Sequence, residues 1–168
     1  VSHNCNIHTL YGDRKIRYRK MTSVLSDIHS LVCRYQVRNI KIWDELFCLD
    51  ESRVSHICDF IISEGFDLNI WAYARADTVS EKMLSKMKRA GINWLAYGFE
   101  SLTDRKFIQA ERAIKMTRDA GINILGNFLF GLPGDTEDSM KDNLEMALKE
   151  NFEYVNFYVA LPYPGSVW

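Results

Sequence analysis

Carboxylates, an arginine, an amide and a cysteine recur along this 168-residue chain, most of them just after a short apolar run. Asp44-Glu45 follows Asn39–Trp43, Arg75 and Asp77 follow Leu68–Tyr73, and Glu100-Ser101 follows Trp94–Phe99. Gly131-Leu132-Pro133-Gly134-Asp135 follows Ile124–Phe130, and Pro162-Tyr163-Pro164-Gly165 follows Tyr154–Ala160. A paired acid such as Asp44-Glu45 can do general acid/base work. Arg75 carries the planar fork that grips a carboxylate, or else it closes an ion pair with Asp77. Asn127 sits inside an apolar run, where a buried amide requires partners, and Tyr158 falls in the last run. Taken singly, each is as well explained by a solvated loop. Their recurrence at successive run ends favours a site.

The elements that would position them are strands alternating with helices. Glu64-Gly65-Phe66, Ala90-Gly91-Ile92 and Ala120-Gly121-Ile122 each end a helical pattern with a glycine, and an apolar run follows each. Glycine suits the left-handed residue just past a helix. These glycines stand 26 and 30 residues apart, the length of one strand–helix unit. The nearly continuous apolar runs suit parallel strands buried on both faces. Leu25, Ile28, Leu31, Val32 and Tyr35 follow a helical period, as do Val54, Ile57, Ile61 and then Met83, Leu84, Met87. Ser80 is placed to cap the third helix, and Asp135, Glu137 and Asp138 put negative charge in the first turn of the last. Alternation of this kind predicts an α/β fold with a parallel sheet and right-handed crossovers. About six units fit, fewer than the eight of a closed barrel. The expected fold is a partial (β/α)6 TIM-like barrel, with working residues where its strands end; a flat doubly wound sheet is second.

Composition narrows the partners. Apolar residues are 47% and charged residues 26%, as in an ordinary globular protein. The net charge of -1 disfavours nucleic acid as the main partner. The apolar runs are too short to span a bilayer, and no leader pattern opens the chain. Four cysteines (Cys5, Cys33, Cys48, Cys58) do not form a secreted disulfide framework, so a cytoplasmic location is expected. Cys33 and Cys58 fall in helical patterns and read as core, whereas Cys48 falls on the expected rim. Trp43, Trp71, Tyr73 and Trp94 read as core aromatics. Arg14, Lys15, Arg17, Arg19 and Lys20 form the one dense basic run, either a solvated face or a grip for a phosphate-bearing substrate.

The ordered set of strand-end segments resembles the radical S-adenosylmethionine (radical SAM) superfamily, particularly the branch often joined to a cobalamin-binding domain. The similar segments are Cys5 to Arg19, Ile42-Trp43-Asp44-Glu45-Leu46-Phe47, Ala74-Arg75-Ala76-Asp77 and Gly98-Phe99-Glu100-Ser101. Asn127 to Thr136 and Leu161-Pro162-Tyr163-Pro164-Gly165-Ser166 complete it. The resemblance covers nearly the whole chain, so residues 1–168 read as one radical SAM core domain with its N-terminal part and motif loops incomplete. Members carry a CxxxCxxC loop. With Cys5 as its middle cysteine, the first falls on Val1 and the third on His8, which reads as an ordinary loop histidine or a substitute ligand. Ser101 likewise runs straight into Leu102, where members have a longer loop.

The resemblance implies a [4Fe-4S] cluster held by three thiolates, Cys5 among them, with one iron left open for S-adenosylmethionine. It implies reduction of that cofactor to a 5′-deoxyadenosyl radical that abstracts hydrogen from a small-molecule substrate. Electrons would come from a donor such as a flavodoxin or ferredoxin. It places Asp44 and Glu45 at the amino group of the methionyl moiety and Glu100 at the ribose, with Arg75, Ser101, Asn127 and Tyr158 among the cofactor-binding residues. The cobalamin branch would add methyl transfer, its cobalamin held by a domain outside this chain. Two other readings stand beside it. One is a catalytically inactive barrel relative that binds a small molecule or a protein. The other is a barrel enzyme using Asp44, Glu45 and Glu100 in acid/base chemistry.

Overall fold

A computed structural model describes residue 12, residues 15–99, residues 104–162 and residue 164. Five strands lie in these residues: β1 (Asn39–Lys41), β2 (Asn69–Ala74), β3 (Ile92–Phe99), β4 (Asn123–Phe130) and β5 (Tyr154–Val159). They pair in sequence order, all parallel. The helices are α1 (Met21–His29), α2 (Glu51–Ser63), α3 (Glu81–Arg89), α4 (Asp104–Asp119) and α5 (Glu137–Glu150). With a helix in each crossover from β1 to β5, the sheet curls into a half-barrel, helices outside and a lumen within. The partial barrel expected from the sequence is therefore what the chain forms, five of its strands lying in the described residues.

The strands differ from expectation in one respect. They bury one face, not two. In β2, Ile70, Ala72 and Ala74 are buried against the helices while Asn69, Trp71 and Tyr73 turn the other way. In β4, Ile124, Gly126 and Phe128 alternate with Asn123, Leu125 and Asn127. A half-barrel leaves its inner wall uncovered, so the inner residues are half-exposed although apolar.

The core lies between sheet and helices. Ile57, Cys58 and Ile61 from α2, Met83, Leu84 and Met87 from α3, and Ala113 and Ile114 from α4 pack there. Beneath β3 and β4, Phe99 lies with its ring centroid 5.1 Å from Phe128 and 5.4 Å from Phe152. Each fully buried side chain of this kind is worth about 1.5–3 kcal/mol relative to exposure. Two buried hydroxyls are satisfied as a pair: Thr117 donates to the Ala113 carbonyl and accepts from Tyr97 at 2.8 Å.

Helix ends follow local chemistry. Ser80 accepts from Met83 N–H, Asp50 from Arg53 N–H, and Thr136 and Ser139 form a reciprocal cap on α5. Asp135 precedes that cap, so of the three acids assigned to the first turn only Glu137 and Asp138 lie in it. After α1 the chain widens into a π-turn, Ser30–Arg34, with Tyr35 N–H reaching the Ser30 carbonyl. Its wider turn rotates later residues off the buried stripe. Ile28 and Val32 stay buried, Tyr35 is 62% exposed, and Cys33 is exposed, not core.

At the N-terminal end of the sheet the strand starts are tied together by amides. Asn69 donates to Asn39 at 2.9 Å, Asn93 donates to Asn69 at 3.2 Å, and Lys88 donates to Asn93 at 2.8 Å. These residues lie at the start of β1 and β2 and early in β3, opposite the C-terminal rim.

Gly91 and Gly65 both have positive φ just past a helix, +84° and +65°. A Cβ on Gly91 would stand 2.3 Å from the Leu68 carbonyl oxygen, whereas one on Gly65 would meet nothing within 4 Å. Gly65→Ala should therefore cost about 1 kcal/mol of backbone strain. Gly91→Ala should cost about 2–4 kcal/mol, strain plus overpacking against β2. Urea denaturation checks this; equal losses would mean that the Leu68 backbone moves aside freely.

Candidate functional site

The parallel register sorts the inner wall into layers. Lys41, Trp71, Trp94 and Asn123 form one layer above the amide floor. Tyr73, Ala96, Leu125 and Tyr154 form the next, Gly98, Asn127 and Asn156 the third, and Leu129 and Tyr158 the uppermost. Rings thus run around the wall from β1 to β5, with small and amide residues (Ala96, Gly98, Asn127, Asn156) set among them on β3–β5.

Asp44 and Glu45 leave β1 at the rim. Asp44 is half-buried, and one of its oxygens accepts from Leu46 N–H at 3.0 Å, which starts the short 3-10 turn Phe47–Leu49. Glu45 is exposed, and no cation pairs with it among the described residues. Its charge bears on Tyr73: burial first, then Glu45, then Tyr158 hold the Tyr73 hydroxyl above its ordinary pKa. Tyr158 is half-exposed, on the lumen side opposite Phe157, whose ring packs on Phe128 and Phe130.

Asn127 has the partner its position demands. Asn156 donates its amide to the Asn127 carbonyl oxygen at 3.1 Å across β4 and β5. Arg75 takes the structural alternative: its guanidinium is bidentate on Asp77, at 3.0 and 2.7 Å. Thr78 donates to the Arg75 carbonyl at 3.0 Å, closing the same turn. Asp135 accepts from Gly131 and Leu132 N–H, both at 2.9 Å, so the Gly-Leu-Pro-Gly-Asp segment is a self-contained turn.

Three cysteines can be placed. Cys48 lies beneath the rim, buried, its Sγ donating to the Tyr73 carbonyl. Burial, then the charges of Cys58 and Asp44, push its thiol up to about 12. Burial, then Asp59, likewise pushes the Cys58 thiol up to about 12. Cys33 is exposed beside His29 at 3.6 Å. Among the described residues no group of three or more His, Cys, Asp or Glu side chains could hold a metal ion. Cys5, His8, Arg14, Glu100 and Ser101 lie outside the described residues. Of the basic run, Lys15, Arg17, Arg19 and Lys20 are exposed, with Arg19 paired to Asp27 at 2.7 Å.

Trp43, Trp71, Tyr73 and Trp94 line the lumen instead of the core, because their positions alternate with the helix-facing ones; Trp43 is 75% exposed. Two residues not singled out in the sequence also belong to this wall. Asn156 stands two residues before Tyr158, hence on the same strand face. Lys41 is a lone lysine in an otherwise apolar run, a signal that was legible.

The comparisons with known proteins bear on the fold. The chain is 29% identical over 171 residues to an uncharacterized methyltransferase of Pyrococcus horikoshii, matching 96% of the chain and 37% of that protein. It is 28% identical over 137 residues to a bacteriochlorophyllide d C-8(2)-methyltransferase of Chlorobaculum tepidum, matching 75% of the chain and 28% of that protein. The chain thus spans about a third of the length of these curated relatives. Among solved structures, the radical SAM methyltransferase TsrM from Kitasatospora setae, with cobalamin and a [4Fe-4S] cluster bound, superposes with a TM-score of 0.73. It shares 19% identity over 85% of this chain and 29% of that one. Coproporphyrinogen III oxidase of Escherichia coli, a radical SAM enzyme, gives 0.62 at 18% identity, over 89% and 40%. No family model matches the chain. No helix among the described residues is long and apolar enough to cross a membrane. The resemblance to radical SAM enzymes read from the strand-end segments holds, and the half-barrel is their fold.

The two buried thiols generate a prediction. A thiol held neutral by the fold favours the native state until the unfolded chain can ionise it. Stability should hold below pH 9 and fall as pH rises from 9 toward 12, by up to about 1.4 kcal/mol per pH unit for each thiol. Peptide mapping after iodoacetamide at pH 8 should find Cys33 alkylated in the native protein, and Cys48 and Cys58 only in denaturant. Native alkylation of Cys48 would show that the rim opens to solvent.

Proposed function

We propose that residues 1–168 form the core domain of a radical SAM enzyme, with S-adenosylmethionine lying across the C-terminal rim of the half-barrel and a small-molecule substrate in the lumen. The observation that carries this reading is the parallel topology, which brings Glu45, the Asn127–Asn156 pair and Tyr158 to the C-terminal side of one sheet. Glu45 and the free oxygen of Asp44 complement an ammonium group, and Asn127 and Asn156 supply amide donors and acceptors. Glu100 would follow β3 at that rim, where a carboxylate can accept from both ribose hydroxyls, with Ser101 beside it. Arg75 would have to release Asp77 before it could take the cofactor carboxylate, so it serves first to shape the rim. Methyl transfer is the reaction class favoured, since two relatives are named methyltransferases; a cobalamin would belong to a part of the protein beyond this core.

The described residues do not fit an iron–sulfur cluster by themselves. Cys33 stands on the outer surface, and Cys48 and Cys58 are buried thiols that resist deprotonation. Cys5 is the one cysteine in a motif-like loop, and a single thiolate cannot hold three irons. A second reading, a binding module without radical chemistry, would account for this shortfall directly. Anaerobic reconstitution of this chain should yield well under one cluster, read as iron, sulfide and visible absorption. About four irons per chain would overturn that expectation and remove the second reading.

Binding tests the site independently. Glu100→Ala, which leaves the ribose hydroxyls unpaired, should cost about 1–3 kcal/mol of S-adenosylmethionine affinity, and Glu45→Gln about 1 kcal/mol. Thermal melts of both should match the parent. Equal affinities by calorimetry would take these acids out of the site, and a collapsed melt would make them structural.

A further inference from the structure

The lumen wall holds a cation that the rim chemistry leaves unexplained. The Lys41 ammonium lies 4.1 Å from the ring centroids of both Trp43 and Trp71, and 5.7 Å from Tyr73. The rings are locked to one another: Trp71 meets Tyr73 edge-on at 4.5 Å, and Trp43 meets Tyr73 edge-on at 6.1 Å. Among the described residues Lys41 has no carboxylate and no hydrogen-bond acceptor, and Glu45, whose charge bears on Tyr73, makes no ion pair with it. Surface lysines ordinarily extend their heads into water. Here the head is laid on indole faces in the layer above the floor. Ring quadrupoles stabilise the charge but accept none of its three N–H donors. Trp43 meanwhile leaves most of an indole uncovered.

We propose that Lys41 and this aromatic wall form the substrate-selecting subsite of the lumen, taking a ligand that joins a carboxylate to a flat unsaturated ring system. The carboxylate receives the ammonium donors, and the flat ring stacks on the exposed indole of Trp43. S-adenosylmethionine, whose sulfonium and ammonium are cationic, is repelled by Lys41 and stays at the rim beside Glu45. The subsite thus rests on the reading of the mouth as a cofactor and substrate site, and adds what the substrate must carry.

The indoles are their own reporters. Tryptophan fluorescence is titrated with 2-naphthoate, its neutral counterpart 2-naphthamide, and the non-aromatic cyclohexanecarboxylate, while calorimetry follows S-adenosylmethionine separately. The expected result is saturable quenching by 2-naphthoate, with the other two probes bound roughly 10–100-fold more weakly. Lys41→Gln should erase the preference of naphthoate over naphthamide, and Lys41→Arg should keep most of it. Trp43→Ala, at an exposed position, should weaken both naphthyl probes together. Equal binding of naphthoate and naphthamide to the parent protein would overturn the proposal, as would a Lys41→Gln variant that keeps the preference. Should Lys41→Gln fail to fold, the comparison of probes on the parent chain still decides. Loss of S-adenosylmethionine binding with intact naphthoate selectivity would sink the cofactor reading alone. The reverse pattern would sink the subsite alone.

Discussion

Parallel pairing in sequence order is the constraint from which the rest follows. Each strand must be reached by a crossover that returns the chain to the same end of the sheet, and right-handed crossovers put every helix on one side. All strand C-termini then emerge together, whatever their sequence. Residues separated by 29 positions become neighbours toward one rim, as Asn127 and Asn156 do. Gly91 shows how tightly this return is made, since its backbone passes against the start of β2 with no room for a side chain.

The same constraint divides the labour between the faces of each strand. The outer face carries aliphatic residues and the Phe99–Phe128–Phe152 stack, which bind the helices to the sheet. The inner face is free of that duty. It holds the layered gradient from amides at the floor, through rings and a lysine, to acids, amides and tyrosines at the mouth. Chemistry and stability are therefore written at alternate positions of the same strands, and either can change without the other.

The fold was legible because its signals are local. Helix-ending glycines, apolar runs and the cap at Ser80 each act within a few residues. What escaped was set by geometry that no local signal carries. The apolar runs looked buried on both faces, but only alternation against an open lumen shows which ring faces which way, so Trp43 and Trp71 were taken for core. Cys33 kept its helical period in the sequence while the π-turn moved it to the surface. Arg75 offered two readings, and only the distance to Asp77 chooses between them. Asn156 became visible through its register with Asn127. The acid expected at the ribose, Glu100, and the cysteine expected at the cluster, Cys5, stand in segments outside the described residues.

The amide floor carries a direction. Lys88 can only donate, so Asn93 must turn its carbonyl oxygen toward it and offer its N–H2 to Asn69. Asn69 is then forced to present oxygen on that side and nitrogen on the other, toward Asn39. One lysine on α3 thus orients three side chains on three strands, and their aligned dipoles reinforce one another. The chain of bonds ends in a donor at the outer side of Asn39. Whatever comes to lie against the β1 edge at that height meets an N–H and must bring an oxygen, a polarity decided two strands away.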